Sequence, residues 1–241
     1  MKGRHEHKFH MNQSDCTQLR SKLKVVANLD KNVGENGTYR IRSLYFDNYA
    51  DKMVTEKLQG LSRREKFRIR YYNNDTDFIN LEKKYKINHL TYKEKASLTR
   101  YQCQQILDGD YTCLTEDNQT LPLELYSKMH FHVLRPHTVV DYTREVYVYN
   151  AGNVRITFDS DIRMSNSVNR FLDSELITIP TANTINLEVK YDGFLPDVLR
   201  KIVNIDHRSQ TEFSKYIVSK LVWDISISEM QRKENNDRKY I

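Results

Sequence analysis

Apolar and polar residues alternate with a period of two in segment after segment of this chain, and between those segments the spacing lengthens to that of a helix. HEHKF (5–9) reads as a short strand. A helix follows over about 15–28, with Ser14 as its N-cap and Cys16, Leu19, Leu23 and Val26 on one stripe. RSLYFD (42–47) predicts a strand, and NYADKMVTEKLQG predicts a helical stretch closed by Gly60. REKFRIRYY (64–72) and FINLEKKYK (78–86) read as strands around a turn-rich NNDTD, with a further strand at TYKEKAS (91–97). Thr99 and Gln102 have the spacing of a capping box, opening a helix that ends near Gly109. Residues 110–120 read as loop and 121–132 as helix.

Three long strands come next, at 138–149, 153–164 and 184–191. Pro196 opens a short helix bearing Val198, Leu199, Ile202 and Val203, and a last helix runs from about Phe213 through Trp223. Strands spread along the chain with helices between them predict one α+β domain over residues 1–225, built on a large antiparallel sheet or closed barrel. Residues 226–241 form a polar tail, expected to fray.

The phase of each alternation says more than its existence, because residues two apart on a strand share a face. Glu6 and Lys8 fall together, as do Arg68 and Arg70, opposite Phe67, Ile69 and Tyr71. Glu82, Lys84 and Lys86 oppose Leu81, Lys83 and Tyr85, and Lys93 joins Lys95. Arg155, Thr157 and Asp159 oppose Val154, Ile156 and Phe158, while Glu188 and Lys190 oppose Leu187 and Val189. A sheet with one wet face is the commonest source of alternation. These polar faces, however, are mostly Arg and Lys with a sparse set of carboxylates, not the mixture an ordinary solvent face carries. Turned inward, with helices over the apolar side, they make a basic lumen. Buried cations are costly unless paired, so such a lumen calls for a multivalent anion. Its few carboxylates suit a divalent cation such as Mg²⁺ or Mn²⁺.

Composition agrees. The net charge of +6 points to an anionic partner: nucleic acid, a phosphorylated molecule or a membrane surface. The tyrosines beside the Arg68–Arg70 pair fall mainly on the opposite strand face, which argues against nucleic acid, where bases need aromatic platforms. No apolar run approaches the length of a transmembrane helix, and three cysteines without a CxxC fit a reducing compartment, so a cytoplasmic protein is expected. Attachment through a membrane partner stays compatible with this. Walker A, GxGxxG, HExxH and GxSxG signatures are all missing.

The segments RHEHKF, SLYFDN, EKLQG, REKFRIRYY, LEKKYK, VVDYTRE, VRITFD, LEVKY and FSKY, in this order over about residues 4–220, resemble the polyphosphate polymerase domain of the vacuolar transporter chaperone (VTC) family, within the triphosphate tunnel metalloenzymes. The resemblance implies an eight-stranded antiparallel tunnel with helices packed outside, ATP and polyphosphate as ligands, and a divalent cation as cofactor. By motif, it implies that Lys8, Arg68, Arg70, Lys84, Lys93, Arg144, Arg155, Lys190, Ser214 and Lys215 contact phosphates. Arg68, Arg70, Arg155 and Lys190 are expected at the transferred group. Glu188 is the implied metal carboxylate, with Glu6 and Glu82 as further candidates for metal or for orienting a lysine. Glu212 departs from the family, which carries a lysine there; this bears on chain elongation more than on triphosphate binding. Alternative activities are a tunnel-fold triphosphatase, a binding module for polyphosphate or another polyanion, and an accessory subunit.

Several residues have plainer readings. Ser214 suits a helix N-cap, and Asp47 and Asp159 suit turn caps. His5, His7 and His10 match no zinc spacing, and the cysteines suit core positions.

Overall fold

Each segment with period-two alternation forms a strand, and the helices lie between them. The computed structural model describes residues 3–61, 64–87, 90–116, 119–182, 184–204, 207–211 and 213–237. The strands are β1 (His5–Met11), β2 (Asn28–Leu29), β3 (Thr38–Asp47), β4 (Arg64–Tyr72), β5 (Asp75–Ile87), β6 (Leu90–Leu98), β7 (Arg135–Tyr149), β8 (Val154–Ser165), β9 (Ile179–Ala182) and β10 (Ile185–Tyr191). The helices are α1 (Gln13–Val26), α2 (Lys52–Leu58), α3 (Arg100–Asp108), α4 (Thr120–Phe131), α5 (Asp197–Val203) and α6 (Lys215–Asp237).

Eight strands form one curled antiparallel sheet in the order β1-β10-β8-β7-β3-β4-β5-β6, with β2 and β9 attached to β7 and β8. Its two edges meet. Arg4, just before β1, pairs with Thr91 of β6 through reciprocal backbone bonds of 3.1 and 3.2 Å. The fold is therefore the expected α+β tunnel. The outward faces carry the apolar residues. Phe67, Ile69 and Leu81 pack under α3 and α4, and Phe9, Ile156, Phe158 and Leu187 under α1 and α5. A third cluster joins Tyr39, Ile41, Tyr45 and Tyr142 to Phe213, Tyr216 and Ile217 at the start of α6. Cys16, Cys103 and Cys113 are buried and unpaired.

Local chemistry moved several boundaries. Asn12, not Ser14, caps α1: it is extended directly after β1, and its Oδ1 accepts the Asp15 N–H at 2.8 Å. Ser14 thus falls inside the first turn. α2 starts later than expected because the Asp47 and Asn48 side chains take the backbone N–H groups of Met53 and Lys52, holding the chain in a turn. The turn role expected of Asp47 is what it performs. In the NNDTD hairpin only Asn73 and Asn74 leave the strands, both left-handed with φ of 49° and 60°, as a tight hairpin turn needs. α6 runs on to Asp237, through part of the segment read as a tail.

Candidate functional site

The strand registers bring the charged faces together. Glu6 and Lys8 of β1 lie across from Lys190 and Glu188 of β10. Glu188 and Lys190 lie in turn across from Thr157 and Arg155 of β8, and Asp159 lies across from Arg144 of β7. On the opposite wall Lys66, Arg68 and Arg70 of β4 pair with Lys84, Glu82 and Asn80 of β5, and Lys84 pairs with Lys93 of β6. Together with Ser214 and Lys215, all of these except Asn80, Glu82 and Thr157 line a cavity of about 290 Å³. Among the described residues eleven Lys and Arg side chains border it against three carboxylates, Glu6, Asp159 and Glu188. Twelve of the thirteen residues singled out from the sequence border it; the thirteenth, Glu82, lies just behind the wall, bonded to Arg68. Glu212 lies outside the described residues.

Each carboxylate anchors a group of cations. Glu82, 2% exposed, receives Arg68 at 2.6 Å, Arg70 at 3.7 Å and Lys93. These cations outweigh its burial and hold its carboxyl far below the usual range. Asp159 takes Arg144 through two bonds of 2.6 and 2.7 Å and Lys215 at 2.5 Å. Burial raises its pKa, but Arg144 and Lys215 overcome that and bring it to about 2. Glu6 receives Lys84 at 2.7 Å and Lys8 at 2.8 Å. Burial and Glu188 oppose its ionisation; Lys8, Lys84 and Lys190 prevail, and it sits at about 2. Glu188 receives Lys190 at 2.9 Å, and Lys190, Lys84 and Lys8 overcome its burial to hold it well below the carboxylate range.

The lysines are less evenly served. Lys66, Lys84 and Lys93 form a row across three adjacent strands. Lys84 has Glu6 and Lys93 has Glu82, whereas Lys66 makes no ion pair among the described residues. Burial first, then Lys8, Lys84 and Arg68, push the Lys66 ammonium well below its ordinary pKa. Burial also takes Lys84 down to about 7 despite its bond to Glu6. Lys66 borders a second cavity as well, of about 120 Å³, toward Lys57, Arg64 and Lys86. A polyanion placed along this row would relieve the repulsion.

Tyrosines orient the arginines. Arg70 donates to Tyr142 Oη at 2.7 Å and Ser43 Oγ at 3.0 Å, Arg68 to Tyr45 Oη at 3.2 Å, and Arg155 to Tyr39 Oη at 3.0 Å. Arg155 also meets Asp30 at 2.5 Å. Tyr39, Tyr45, Tyr72 and Tyr142 all border the cavity, so the lumen is more aromatic than the phase of β4 alone indicated. Sequence reading missed Lys66, Asp30 and these tyrosines, and it put Asp159 on the charged face but gave it only a turn-capping role. Lys66 was within reach, since it continues the Arg68–Arg70 alternation by one step. Ser214 stands immediately before α6, its carbonyl accepting the Val218 N–H at 3.0 Å. His5 and His7 stack on Tyr191.

Glu6 and Glu188 are the pair that fits a divalent cation. Both are ionised, and Lys8 touches both, at 2.8 and 3.8 Å. Two carboxylates completed by ligand phosphates match the way Mg²⁺ and Mn²⁺ are commonly held. Glu82 is apart from this pair and does not border the cavity. No group of three or more His, Cys, Asp or Glu among the described residues forms a metal site by itself.

A family model described as VTC domain matches residues 3–223. In fold, the chain is similar to a protein of Bacillus halodurans described as a candidate adenylate cyclase, at 13% identity over 88% of this chain and 95% of that one, with a TM-score of 0.52. A protein of Pyrococcus horikoshii OT3 aligns at 14% identity over 88% and 96% of the two chains, with a TM-score of 0.47. No curated protein sequence matches the chain.

Proposed function

The chain belongs to the VTC domain family, and from that premise we propose that its tunnel binds the triphosphate of ATP and transfers the terminal phosphoryl group to the end of a polyphosphate chain. One observation carries this reading: the excess of enclosed cations over carboxylates, which includes Lys66, without an ion pair among the described residues and in a row with Lys84 and Lys93. Such an interior is satisfied by a ligand with many negative charges at short spacing.

Phosphoryl transfer asks for alignment and positive charge around the reacting phosphorus. Arg68 and Arg70 supply planar forks, already oriented by Tyr45, Ser43 and Tyr142. Arg155 and Lys190 face the same lumen from β8 and β10, and Lys8, Lys84, Lys93, Arg144, Ser214 and Lys215 bind the rest of the anion. A divalent cation at Glu188 and Glu6 would neutralise charge on the phosphate oxygens. A terminal oxygen of the acceptor forms the new P–O bond as the bond to the ADP oxygen breaks. The acceptor oxygen is already ionised at neutral pH, so no side chain has to remove a proton. A reaction fed by ATP suits the cytoplasm, and this location is part of the proposal.

The test is incubation of purified protein with ATP and Mn²⁺ or Mg²⁺, with and without a short polyphosphate primer. Metal-dependent growth of long polyphosphate is the expected result. Free phosphate as sole product replaces the proposal with a triphosphatase. Polyphosphate binding without turnover, lost in Arg68→Ala, replaces it with a binding module.

A further inference from the structure

Asn186 is 4% exposed on the inner face of β10, and neither its Oδ1 nor its Nδ2 has a hydrogen-bond partner among the described residues. It nevertheless borders the cavity. Thr157, 1% exposed, likewise has a partnerless hydroxyl. The two lie around one carboxylate. Thr157 is directly across from Glu188 in register, and Asn186 precedes Glu188 by two residues on the same face. Buried polar groups in folded proteins are nearly always bonded, so three orphan atoms beside one carboxylate mark a place built for something with hydrogen-bonding capacity.

Neighbouring side chains do not supply it. Asp159, across from Asn186, is occupied by Arg144 and Lys215. Glu188 is held by Lys190. A phosphate group is a poor match, because it offers no donor to the Asn186 carbonyl oxygen and would lie between two carboxylates, Asp159 across from Asn186 and Glu188 two residues on. Water bound to a cation is a better match: it is a strong donor, and the carbonyl and hydroxyl oxygens are acceptors. Mg²⁺ in particular gives up its waters reluctantly and keeps several of them at protein sites. Residues two apart on a strand are about 7 Å apart along the chain, which leaves room for a water layer between Asn186 and an ion at Glu188.

We propose that Asn186, assisted by Thr157, binds the coordinated waters of a hydrated divalent cation at Glu188. It is an outer ligand that orients the ion without touching it. The inference rests on the reading of Glu188 as the metal carboxylate, and its test separates the two.

Mn²⁺ binding to the full chain is measured without nucleotide, by titration calorimetry and by the paramagnetic resonance of free Mn²⁺, for wild type, Asn186→Leu, Asn186→Asp and Glu188→Gln. Loss of an outer-shell partner typically weakens a metal site by about 10–100-fold, so Asn186→Leu is expected to weaken Mn²⁺ by at least about tenfold. Its metal-free affinity for tripolyphosphate should stay within about twofold, a comparison anchored on the same principle that outer ligands act through the metal. Asn186→Asp, which adds charge at the same place, should bind Mn²⁺ more tightly. Wild-type Mn²⁺ affinity in Asn186→Leu, with binding lost in Glu188→Gln, overturns the inference and leaves the metal reading intact. Unchanged Mn²⁺ affinity in Glu188→Gln overturns the metal reading and the inference with it. If Asn186→Leu does not fold, Asn186→Asp decides: tighter Mn²⁺ binding supports the inference, and unchanged or weaker binding overturns it.

Discussion

Lys66 stands directly across from Lys84 on the adjacent strand, with both lysines bordering the tunnel cavity, and among the described residues only Lys84 has a carboxylate partner. Like charges in register across a strand pair are destabilising, so the free protein carries repulsion that a bound anion removes.

Lys66→Met is therefore expected to move stability and binding in opposite directions. Removing the unpaired charge keeps the aliphatic stem and should stabilise the free protein by up to about 1 kcal/mol, the scale of one cross-strand pair. Tripolyphosphate affinity should fall by about tenfold, the equivalent of about 1.4 kcal/mol. Thermal melting and calorimetric titration on the same preparation check both. A variant that binds tripolyphosphate as tightly as wild type removes Lys66 from the site.

Glu82 gives the converse case. It is the buried counter-ion of Arg68, Arg70 and Lys93, and uncoupling such a group leaves charges without compensation. Glu82→Gln should destabilise the free protein by about 3 kcal/mol. The three cations it frees should bind a polyanion more tightly, so saturating tripolyphosphate should return most of the lost melting temperature. Metal binding should be unaffected, because Glu82 is apart from Glu6 and Glu188. Reduced Mn²⁺ affinity in this variant would place Glu82 among the ligands after all.

The physical reasons for what was legible in the sequence are visible at these positions. Alternation is local, so the phase of Arg68 and Arg70, of Glu188 and Lys190, and of Lys84 and Lys93 follows from neighbours two residues away. Lys66 obeys the same rule, one step before Arg68 on β4. Asp159 follows the alternation too: it lies mid-strand in β8 and faces inward with Arg155 and Thr157, not at a turn as the capping reading had it. The inward position of Tyr142 was harder to see, since β7 changes register between Asp141 and Thr143 and the alternation loses its phase there. Which carboxylate serves which cation was not legible. Lys84 meets Glu6 because the barrel closes β1 near β5 and β6, a consequence of strand order that no local pattern encodes.

Acid should act through Asp159 in a defined window. Its folded pKa of about 2 lies below its ordinary value of 3.8, so the folded state binds the proton less tightly than the unfolded state. Stability from this group is complete above the unfolded value and is lost as pH falls through the folded one. The shift corresponds to about 2 kcal/mol at neutral pH. Asp159→Asn should be less stable than wild type by that amount at pH 7, and the gap should narrow as pH falls below about 4. Urea denaturation of both proteins between pH 7 and pH 3 measures it. A gap that stays constant across this range would show that Arg144 and Lys215 do not depend on the Asp159 charge.

The last relationship reaches from outside the lumen inward. Tyr216 Oη donates to Asp47 Oδ2 at 2.7 Å, and both residues are buried. The other Asp47 oxygen accepts the Met53 N–H at 3.0 Å, so one carboxylate ties the start of α6 to the start of α2. Lys215 is the residue before Tyr216, and it extends into the tunnel to Asp159. Tyr216→Phe keeps the ring in its apolar cluster and deletes only the donor. A hydrogen bond to a buried charged group is worth about 2 kcal/mol, which is the expected loss of stability. Because the bond also fixes where α6 begins, Lys215 should lose part of its alignment, and tripolyphosphate affinity should fall by about fivefold, equivalent to about 1 kcal/mol. Asp47→Asn retains the acceptor toward Met53 and should show a smaller effect on both. Lys215→Met in the Tyr216→Phe background separates positioning from general loosening. If Tyr216 acts through Lys215, the double variant binds no worse than Lys215→Met alone. If the two losses add, Tyr216 supports the tunnel by some route that does not pass through Lys215.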